Sequence, residues 1–331
     1  MRKSARLIFL GDLMLGRGVS RALRDHPPEW FWGDVLPMLG RADAVIANLE
    51  GPITNSDTRW RRSWKAFHFR ADPDAVRILQ CGNVRFVCLA NNHMLDFSEA
   101  GLLDTMSALD AAGIGHTGAG RDATEAAAPA ILELPGLTVG LMAATDNMRD
   151  FAAAPDRPGT NYIEMTDGPE QLQWVERSVR ALRQAGAGLV VLSLHWGPNM
   201  RLSPPRSFRR FAHAAVERGV DVIHGHSAHV VQAVERHGQG VILYDTGNVI
   251  DDYWKFPFRA TITSFVFQLD VEAGRPVRLD LVPVRIHSAP LSLARGRSLE
   301  AIKARMVSLC AGFGTPLVDT PEGLEIPLSR P

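Results

Sequence analysis

Short apolar runs that end abruptly in polar residues recur along the sequence. Leu7 to Leu10 runs into Gly11-Asp12, and Leu189 to Leu194 runs into His195-Trp196-Gly197. Comparable runs are Ala44 to Ala47, Val84 to Ala90, Val220 to Ile223 and Val241 to Tyr244. Apolar runs of about four to eight residues, rich in Val, Ile and Leu, are typical of strands buried on both faces. The pattern therefore predicts a sheet that helices cover.

Segments with recognisable helix ends lie between these runs. Asp72-Pro73 begins one predicted helix, which ends at Gly82, and Ser98 can cap the next, which ends at Gly113. Three further helices are predicted. One starts at Asp167-Gly168-Pro169, one spans Arg206 to Arg218, and one is capped by Ser298. Strand and helix thus alternate, which indicates βαβ crossovers and a mixed or parallel sheet.

Beyond Asn248 the pattern changes. Phe265 to Val271 and Val277 to Leu281 alternate apolar and polar residues around a turn, which predicts an antiparallel hairpin. A short strand is expected at Leu324 to Ile326. No repeat or linker interrupts the chain, so we expect one α/β domain over residues 1–331. Its core would span residues 6–290, with the hairpin, a helix and the short strand within 262–328.

Composition narrows the function classes. The apolar fraction of 46% is ample for a core, and 36 basic residues balance 36 acidic ones. A neutral chain has no overall field that would attract nucleic acid, so we expect no nucleic-acid partner. The cysteines Cys81, Cys88 and Cys310 are scattered, which indicates neither a disulfide framework nor a thiolate metal site.

The start of the sequence is basic, but its first apolar run is short. Leu7 to Leu10 falls below the roughly 7 to 15 residues of a signal-peptide core. No stretch approaches the roughly 18 apolar residues of a membrane span. We therefore expect no integral membrane segment and a cytoplasmic location, and the sequence does not indicate an oligomeric state.

The residues at the ends of the runs suggest metal chemistry. Chemistry in sheets of this kind lies beyond the carboxyl ends of the strands. Carboxylates, an amide and imidazoles together suit one or two divalent ions such as Mn, Zn or Fe, which activate water for hydrolysis. The candidate ligands are Asp12, Glu50, Asn92, His195, His226 and His229.

Each candidate also has a structural explanation. Asp12 alone could be a turn residue, and Asn91-Asn92-His93 could be a simple turn. The cluster of His224, His226 and His229 is more specific, because several histidines at one strand end are uncommon in a core. Together the motifs favour a metal site, with His93 placed to donate a proton to a leaving group.

Several neighbours could support the ligands. Asp96 could orient His93 and act with it in catalysis, or it could cap the following helix. His224 could be a supporting residue behind the ligands or an ordinary core histidine. We also expect Asn48 and Asn91 to lie behind the ligands.

The segment from Thr58 to Arg70 mixes cations with aromatic residues. It is either a surface loop with half-buried aromatic anchors or a wall that binds anions through arginine and lysine. An anionic small molecule or polymer is the substrate that such a wall suits. The candidate substrate-binding residues are Arg17, Arg61, Lys65, His68, Asn199 and Asn248.

The motifs also occur in a fixed order, from about residue 6 to the C-terminal region. They are Gly11-Asp12-Leu13-Met14-Leu15-Gly16-Arg17, Asn48-Leu49-Glu50-Gly51-Pro52, Ala90-Asn91-Asn92-His93-Met94-Leu95-Asp96, His195-Trp196-Gly197, Gly225-His226-Ser227-Ala228-His229 and Leu243-Tyr244-Asp245-Thr246-Gly247-Asn248. In these motifs the chain resembles the CapA-type capsule synthesis (PGA_cap) family, whose poly-γ-glutamate members have a calcineurin-like metallophosphatase fold. The resemblance implies a layered sandwich of two mixed sheets flanked by helices.

The resemblance also implies roles for residues. It implies metal ligation by the six candidates above and a general-acid role for His93. Glu50 stands where metallophosphatases usually place a bridging Asp. Met14 stands where they usually have a histidine, and a thioether is a poor ligand for hard ions. The sequence thus leaves open whether the site holds one ion or two.

The leading hypothesis is a CapA-like metal-dependent hydrolase. It would use metal-activated water on a phosphoester or an amide, with a polyanionic or γ-glutamyl substrate. The alternatives are a non-catalytic accessory subunit of poly-γ-glutamate or capsule synthesis or export, and a metal-dependent amide-forming or transferring enzyme.

Overall fold

Two β-sheets packed face to face form the centre of the protein. The structure is a computed structural model that describes residues 4–252, 262–287 and 289–328. Among these residues, ten strands form the first sheet, six form the second, and a separate pair completes the set. In the same part of the chain, no helix combines the length and the apolar character that crossing a membrane requires.

The strands are numbered in chain order. The first sheet runs β17 (Val318–Thr320), β18 (Gly323–Pro327), β15 (Arg275–Ile286), β14 (Thr263–Glu272), β1 (Ser4–Leu13), β2 (Ala44–Leu49), β3 (Val84–Cys88) and β4 (Gly115–Thr117), with β13 (Asn248–Ile250) beside β1 and β16 (Leu291–Leu293) beside β15. The second sheet runs β11 (Val234–His237), β12 (Gly240–Leu243), β10 (Val222–His226), β9 (Leu189–His195), β7 (Leu137–Thr145) and β6 (Ala130–Leu134). The separate pair is β5 (Ala119–Gly120) with β8 (Gly159–Thr160).

Both sheets are mixed. In the first sheet β1 pairs in parallel with β2 and β13 and antiparallel with β14. In the second sheet β9 is parallel to both β7 and β10, while β6 and β11 are antiparallel to their neighbours. The predicted hairpin is β14 and β15, and the predicted short strand is β18. The expected sandwich of two mixed sheets is therefore confirmed.

Helices pack around the sandwich, and α9 adds residues to the apolar layer between the sheets. They are α1 (Arg17–Ala22), α2 (Pro28–Trp32), α3 (Leu36–Leu39), α4 (Val76–Cys81), α5 (Ser98–Ala111), α6 (Ala123–Ala127), α7 (Pro169–Gln184), α8 (Arg206–Glu217) and α9 (Gly296–Ala311). Short 3-10 turns occupy Gly33–Val35, Pro73–Ala75 and Arg149–Phe151.

Two predicted helix caps are wrong. Ser98 is the first residue of α5 and caps nothing, because its backbone has a left-handed φ of 59° at the end of a tight turn. In that turn the amide of Ser98 donates to the carbonyl of Leu95 at 2.9 Å. Ser298 lies inside α9, which begins two residues earlier at Gly296. The predicted ends at Gly82 and Pro169 are confirmed.

Apolar side chains fill three layers. Leu7 and Phe9 of β1 lie between the sheets with Val191 of β9. Ile8, the intervening residue on β1, packs on the other face of the first sheet against helix residues such as Leu102. A third layer joins the second sheet to α7 and α8. Because successive strand residues point to opposite faces, a continuous apolar run serves two layers at once.

The backbone of β1 lies very close to the segment that precedes β13. The amide of Asp12 donates to the carbonyl of Gly247 at 2.8 Å. A Cβ atom at Gly11 would lie only 1.7 Å from that carbonyl oxygen. Only glycine allows this approach, and it fixes the position of Asp12 at the edge of the sheet.

We expect Gly11→Ala to destabilise the fold by more than about 3 kcal/mol, since the added methyl group meets backbone that must shift. Gly312→Ala is a matched control, because a Cβ atom there meets nothing within 4 Å. Thermal and urea unfolding of both variants measures the difference. Equal stability of Gly11→Ala and the natural protein would contradict the close approach.

Candidate metal centre

The polar residues at the strand ends converge on one edge of the sandwich. Asp12 pairs with Asn48 between β1 and β2, and His195 pairs with His226 between β9 and β10. These side chains are buried, as are those of Glu50 and His229. The first sheet supplies carboxylates and amides, and the second sheet and its loops supply the imidazoles.

One group of donors consists of Asp12, Glu50 and His229. The Oδ2 atom of Asp12 lies 3.2 Å from Nδ1 of His229. The Nε2 atom of the same ring lies 3.7 Å from Oε1 of Glu50. One potential ligand atom from each residue falls within 4.8 Å of the others, which is a spacing that a divalent ion can bridge.

A second group consists of Asp12, His195 and His226. The Oδ1 atom of Asp12 lies 3.9 Å from Nδ1 of His195 and 3.8 Å from Nδ1 of His226. The two Nδ1 atoms are themselves only 3.0 Å apart. Asn92 lies at the opposite nitrogen of that ring, where its Oδ1 atom accepts from Nε2 of His195 at 2.8 Å. Asp12 is thus common to both groups.

The charges of these side chains also suit a cation. Burial lowers the pKa of His195 to about 3 and places that of His226 well below its usual value, so both imidazoles are neutral. Burial opposes a charge on His229 as well, but the carboxylates of Glu50 and Asp12 raise its pKa to about 10. His229 therefore carries a proton that compensates the two carboxylates. The donors fit a divalent ion, which would supply the positive charge in place of that proton.

His93 lies at the side of the first group. Its Nε2 atom is 3.7 Å from Oε1 of Glu50, and its Nδ1 atom is 2.6 Å from Oδ2 of Asp96. The ring of Phe69 stacks on it, with centroids 4.0 Å apart. Lys65 lies behind the pair, with Nζ 3.3 Å from Oδ1 of Asp96.

Asp96 is surrounded by donors. Burial raises its pKa to about 7, while the ammonium of Lys65 and the amide of Phe69, which donates to Oδ2 at 2.6 Å, favour the charged form. We assign the carboxylate form, because three donors converge on it. Asp96 thus lies in direct contact with His93 and caps no helix, as the N-cap of α5 is Phe97.

The residues expected behind the ligands lie there. Asn48 donates to Oδ1 of Asp12 at 2.8 Å, and Asn91 donates to Oδ1 of Asn48 at 3.2 Å. Asn91 also accepts from the amide of His93 at 3.1 Å. His224 is fully buried, with Nε2 2.9 Å from the carbonyl oxygen of Leu10. These bonds fix the ligand side chains in orientation.

The candidate substrate residues are placed differently from one another. Lys65 donates to the carbonyl of Asn92 at 2.6 Å, and its side chain is only 7% exposed. Asn248 is buried and accepts from Nδ1 of His229 at 2.9 Å. Both therefore touch the candidate ligands or their backbone.

The other candidate substrate residues lie further out. Arg17 is exposed, pairs with Asp252 at 3.5 Å and lies over the ring of Phe69. Arg61 and Asn199 are exposed. The Nε2 atom of His68 is 3.4 Å from the carbonyl oxygen of Trp60. A role in substrate binding stays a prediction for all six candidates.

Sequence reasoning missed three contributors. Ser193 lies on β9 two residues before His195, and its hydroxyl contacts both His224 and His226. Asp146 follows β7 and accepts from the amide of Gly197 at 3.1 Å, and burial raises its pKa to about 6. The alternation of a strand places Ser193 on the same face as His195, and the apolar run of β7 ends in Thr145-Asp146, so both signals were present.

Asp245 is the third contributor; the sequence places it in the motif from Leu243 to Asn248 but assigns it no role. It accepts from the amides of Ala228 and Gly247 at 2.7 and 2.8 Å, and burial raises its pKa to about 8. It thereby holds the loop of His229, whose backbone has a left-handed φ of 58°. A strained ligand loop of this kind persists only where other bonds fix it.

Comparisons with known proteins agree with the motifs. The family model for the bacterial capsule synthesis protein PGA_cap matches residues 6–253. A probable polyglutamine synthesis accessory protein of Mycobacterium tuberculosis is 30% identical over 358 residues, which cover 95% of this chain and 93% of that protein. The capsule biosynthesis protein CapA of Bacillus anthracis is 28% identical over 283 residues, which cover 85% of this chain and 67% of that protein.

Solved structures share the two-sheet architecture. A phosphatase of Mycoplasma pneumoniae superposes with a TM-score of 0.53 at 12% identity, covering 86% of this chain and 95% of that one. A 5'-nucleotidase precursor of Thermus thermophilus gives a TM-score of 0.50 at 14% identity, covering 92% of this chain and 58% of that one. At such identities the likeness concerns the fold alone. The chain therefore belongs to the bacterial capsule synthesis protein family PGA_cap, and its sandwich is of the calcineurin-like metallophosphatase type.

Proposed function

We propose that the protein is a metal-dependent hydrolase that acts on a phosphoester or an amide. The observation that carries this proposal is the pair of buried donor groups that share Asp12. Buried carboxylates beside neutral imidazoles are stabilised by a nearby positive charge, so this arrangement favours a bound cation. A divalent ion held there lowers the pKa of water and polarises the bond to be broken.

The site residues divide into those that would bind the metal and those that would transfer a proton. Glu50 lies between His93 and His229, with Oε1 3.7 Å from Nε2 of each ring. The family resemblance implies that Glu50 would bridge two ions. Asp12 and His229 would hold the ion beside Glu50. His195 and His226, with Asp12 shared and with Asn92 as the resemblance implies, would hold the other.

His93 would move the proton. Its Nδ1 proton is directed at Asp96, which leaves Nε2 facing the donor group. Burial and the charge of Lys65 lower the pKa of His93, so the resting ring is neutral and Nε2 can accept a proton from attacking water. The same nitrogen then donates that proton to the departing oxygen or nitrogen, which is the predicted general-acid role.

An anionic polymer or a γ-glutamyl compound is the substrate class we favour. The proposal draws on the relatives, one of which is called a polyglutamine synthesis accessory protein and another a PGA biosynthesis protein. It also draws on the exposed guanidinium groups of Arg17 and Arg61. Arginine suits carboxylates because its fork binds both oxygens.

A second candidate is an accessory role in polymer synthesis without turnover. The word "accessory" in the name of the Mycobacterium tuberculosis relative favours it. So does Met14, a fully buried residue two positions after Asp12, where the family resemblance implies that metallophosphatases usually have a histidine. The two candidates differ in whether purified protein turns over a substrate.

We predict that the two donor groups bind metal unequally. The group with His195, His226 and Asn92 should bind the tighter ion, and the group with His229 the weaker one. Asp12→Asn should weaken both ions, whereas His226→Asn should affect mainly the tighter and His229→Asn mainly the weaker. Each loss should reach about 100-fold or more, since even outer partners of a ligand are worth 10- to 100-fold.

Elemental analysis after removal and return of Mn²⁺ or Zn²⁺ gives the stoichiometry of each variant. Titration against a fluorescent chelator gives the affinities. His26→Ala is a matched control, because that histidine is exposed and stacks on Trp30, away from the donor groups. Full metal content in Asp12→Asn would contradict the shared ligand.

We also predict that metal affinity rises with pH. An ion must displace the proton of His229, whose pKa is about 10 in the metal-free protein. Below that pKa the neutral fraction of the ring falls about tenfold per pH unit, so the apparent association constant should rise about tenfold per unit between about pH 6 and pH 8. His229→Gln should flatten this slope. A flat profile in the natural protein would show that His229 is not protonated.

The catalytic prediction concerns His93 and Asp96. We expect His93→Ala to keep its metal and to lower kcat by about 10²- to 10⁴-fold on bis-p-nitrophenyl phosphate or γ-glutamyl-p-nitroanilide. Asp96→Asn should have a smaller effect in the same direction. His26→Ala again serves as the control. Undiminished turnover in His93→Ala would remove the proton-transfer role, and no turnover by the natural metal-loaded protein would favour the accessory candidate.

A further inference from the structure

We propose that Ser193 and His224 form a hydrogen-bonded relay that fixes which nitrogen of His226 faces the metal site. This inference deepens the proposed function and rests on it for the ion that His226 would hold. The relay runs from the carbonyl of Leu10 through His224 and Ser193 to His226. The three contacts that form the relay are each 3.1 Å or shorter.

The direction of the relay is set at its inner end. The carbonyl oxygen of Leu10 can only accept, so Nε2 of His224, at 2.9 Å, must carry a proton and donate it. His224 is fully buried, and among the described residues its polar ring contacts are this carbonyl and the hydroxyls of Ser193 and Thr246. An imidazole buried without a carboxylate partner is neutral. Its Nδ1 atom is therefore an acceptor.

The hydroxyl of Ser193 has one proton to give. Its oxygen lies 3.1 Å from Nδ1 of His224 and 3.0 Å from Nε2 of His226. Since Nδ1 of His224 needs a donor, the hydroxyl proton points there. The hydroxyl oxygen must then accept from Nε2 of His226, which is the donor of that contact.

The last step fixes the ligand atom. His226 is fully buried and neutral, so a proton on Nε2 leaves Nδ1 with a bare lone pair. That atom lies 3.8 Å from Oδ1 of Asp12 and 3.0 Å from Nδ1 of His195. The opposite tautomer would direct a proton into the donor group and block an ion there. Ser193 and His224 are thus positioning residues that prepare His226 for the ion.

The relay also crosses the sandwich. Leu10 belongs to β1 of the first sheet, while His224 and Ser193 belong to β10 and β9 of the second. Leu10 is two residues before Asp12, and His224 is two residues before His226. The hydrogen bond from His224 to Leu10 therefore fixes the positions of Asp12 and His226 relative to each other. It also helps to fix the tautomer of His226.

The first test needs no variant. In metal-free natural protein labelled with ¹⁵N-histidine, long-range proton–nitrogen spectra report which ring nitrogen carries the proton. His226→Asn assigns the signals by their loss. We expect His224 and His226 both as Nε2-protonated rings at pH 7 to 8. A proton on Nδ1 of His226 would overturn the relay.

The second test removes one link at a time. His224→Phe keeps a ring of similar shape but removes both nitrogens, which frees the Ser193 hydroxyl to donate to Nε2 of His226. We expect His226 to shift toward the Nδ1-protonated form and metal affinity to fall about 10- to 100-fold. Ser193→Ala should lower affinity over the same range. Ser178→Ala is the matched control, since Ser178 is a buried serine on α7, and should change affinity less than about twofold.

The outcomes separate this inference from the proposed function. If the natural protein binds metal and Ser193→Ala binds it equally tightly while folded, the relay is wrong and the hydrolase proposal stands. If the natural protein binds no metal, the hydrolase proposal fails, and the metal-free spectra alone decide the hydrogen-bond relay. A poorly folded variant leaves the spectra of the natural protein as the deciding measurement.

Discussion

The contact between the two sheets at their ligand-bearing edge is the constraint on which the site depends. Asp12 comes from the first sheet and His226 from the second, so their separation is set by how closely the sheets pack there. Across the sandwich, His224 donates to the carbonyl of Leu10. Within the first sheet, β1 lies against Gly247, in the segment before β13, without room for a side chain at Gly11, and this fixes Asp12. Because protein interiors yield little once packed, this packing interface fixes the geometry of the candidate donors.

Burial then determines the charge of the site. Burial keeps the pKa of His195 and His226 low although Asp12 lies nearby, whereas His229, which both Asp12 and Glu50 approach, keeps its proton. The protein folds around carboxylates that are compensated by a proton, and a divalent ion would replace that compensation. Burying a charge costs free energy unless the charge is paired. Without a bound ion or proton, the carboxylates of Asp12 and Glu50 would therefore destabilise the fold.

The sequence predicts most of the strands and most of the candidate ligands. An apolar run indicates a strand, and the polar residue at its end indicates a candidate ligand. The strands of Asp12, His195 and His226 lie where the pattern put them. Ser193 was missed because a serine inside an apolar run looks like ordinary strand composition, and only its contacts show what it does. Lys65 is a residue type that often binds anions, yet its ammonium group contacts the carbonyl of Asn92 and the carboxylate of Asp96. These contacts depend on how the loop folds, so the sequence alone could not predict them.

The two halves of the site are unequal for a reason that lies in one strand. Asp12 and Met14 both follow the apolar run of β1, and Met14 is a fully buried thioether, which is a poor ligand for hard ions. The half with His195 and His226 has two imidazoles as well as the shared carboxylate, and the amide of Asn92 contacts the far nitrogen of His195. Under the proposed function, occupancy of the half with His229 would depend most on pH, because His229 is the imidazole that carries a proton. A thioether at position 14 would then make the ion beside His229 the more weakly held of the two.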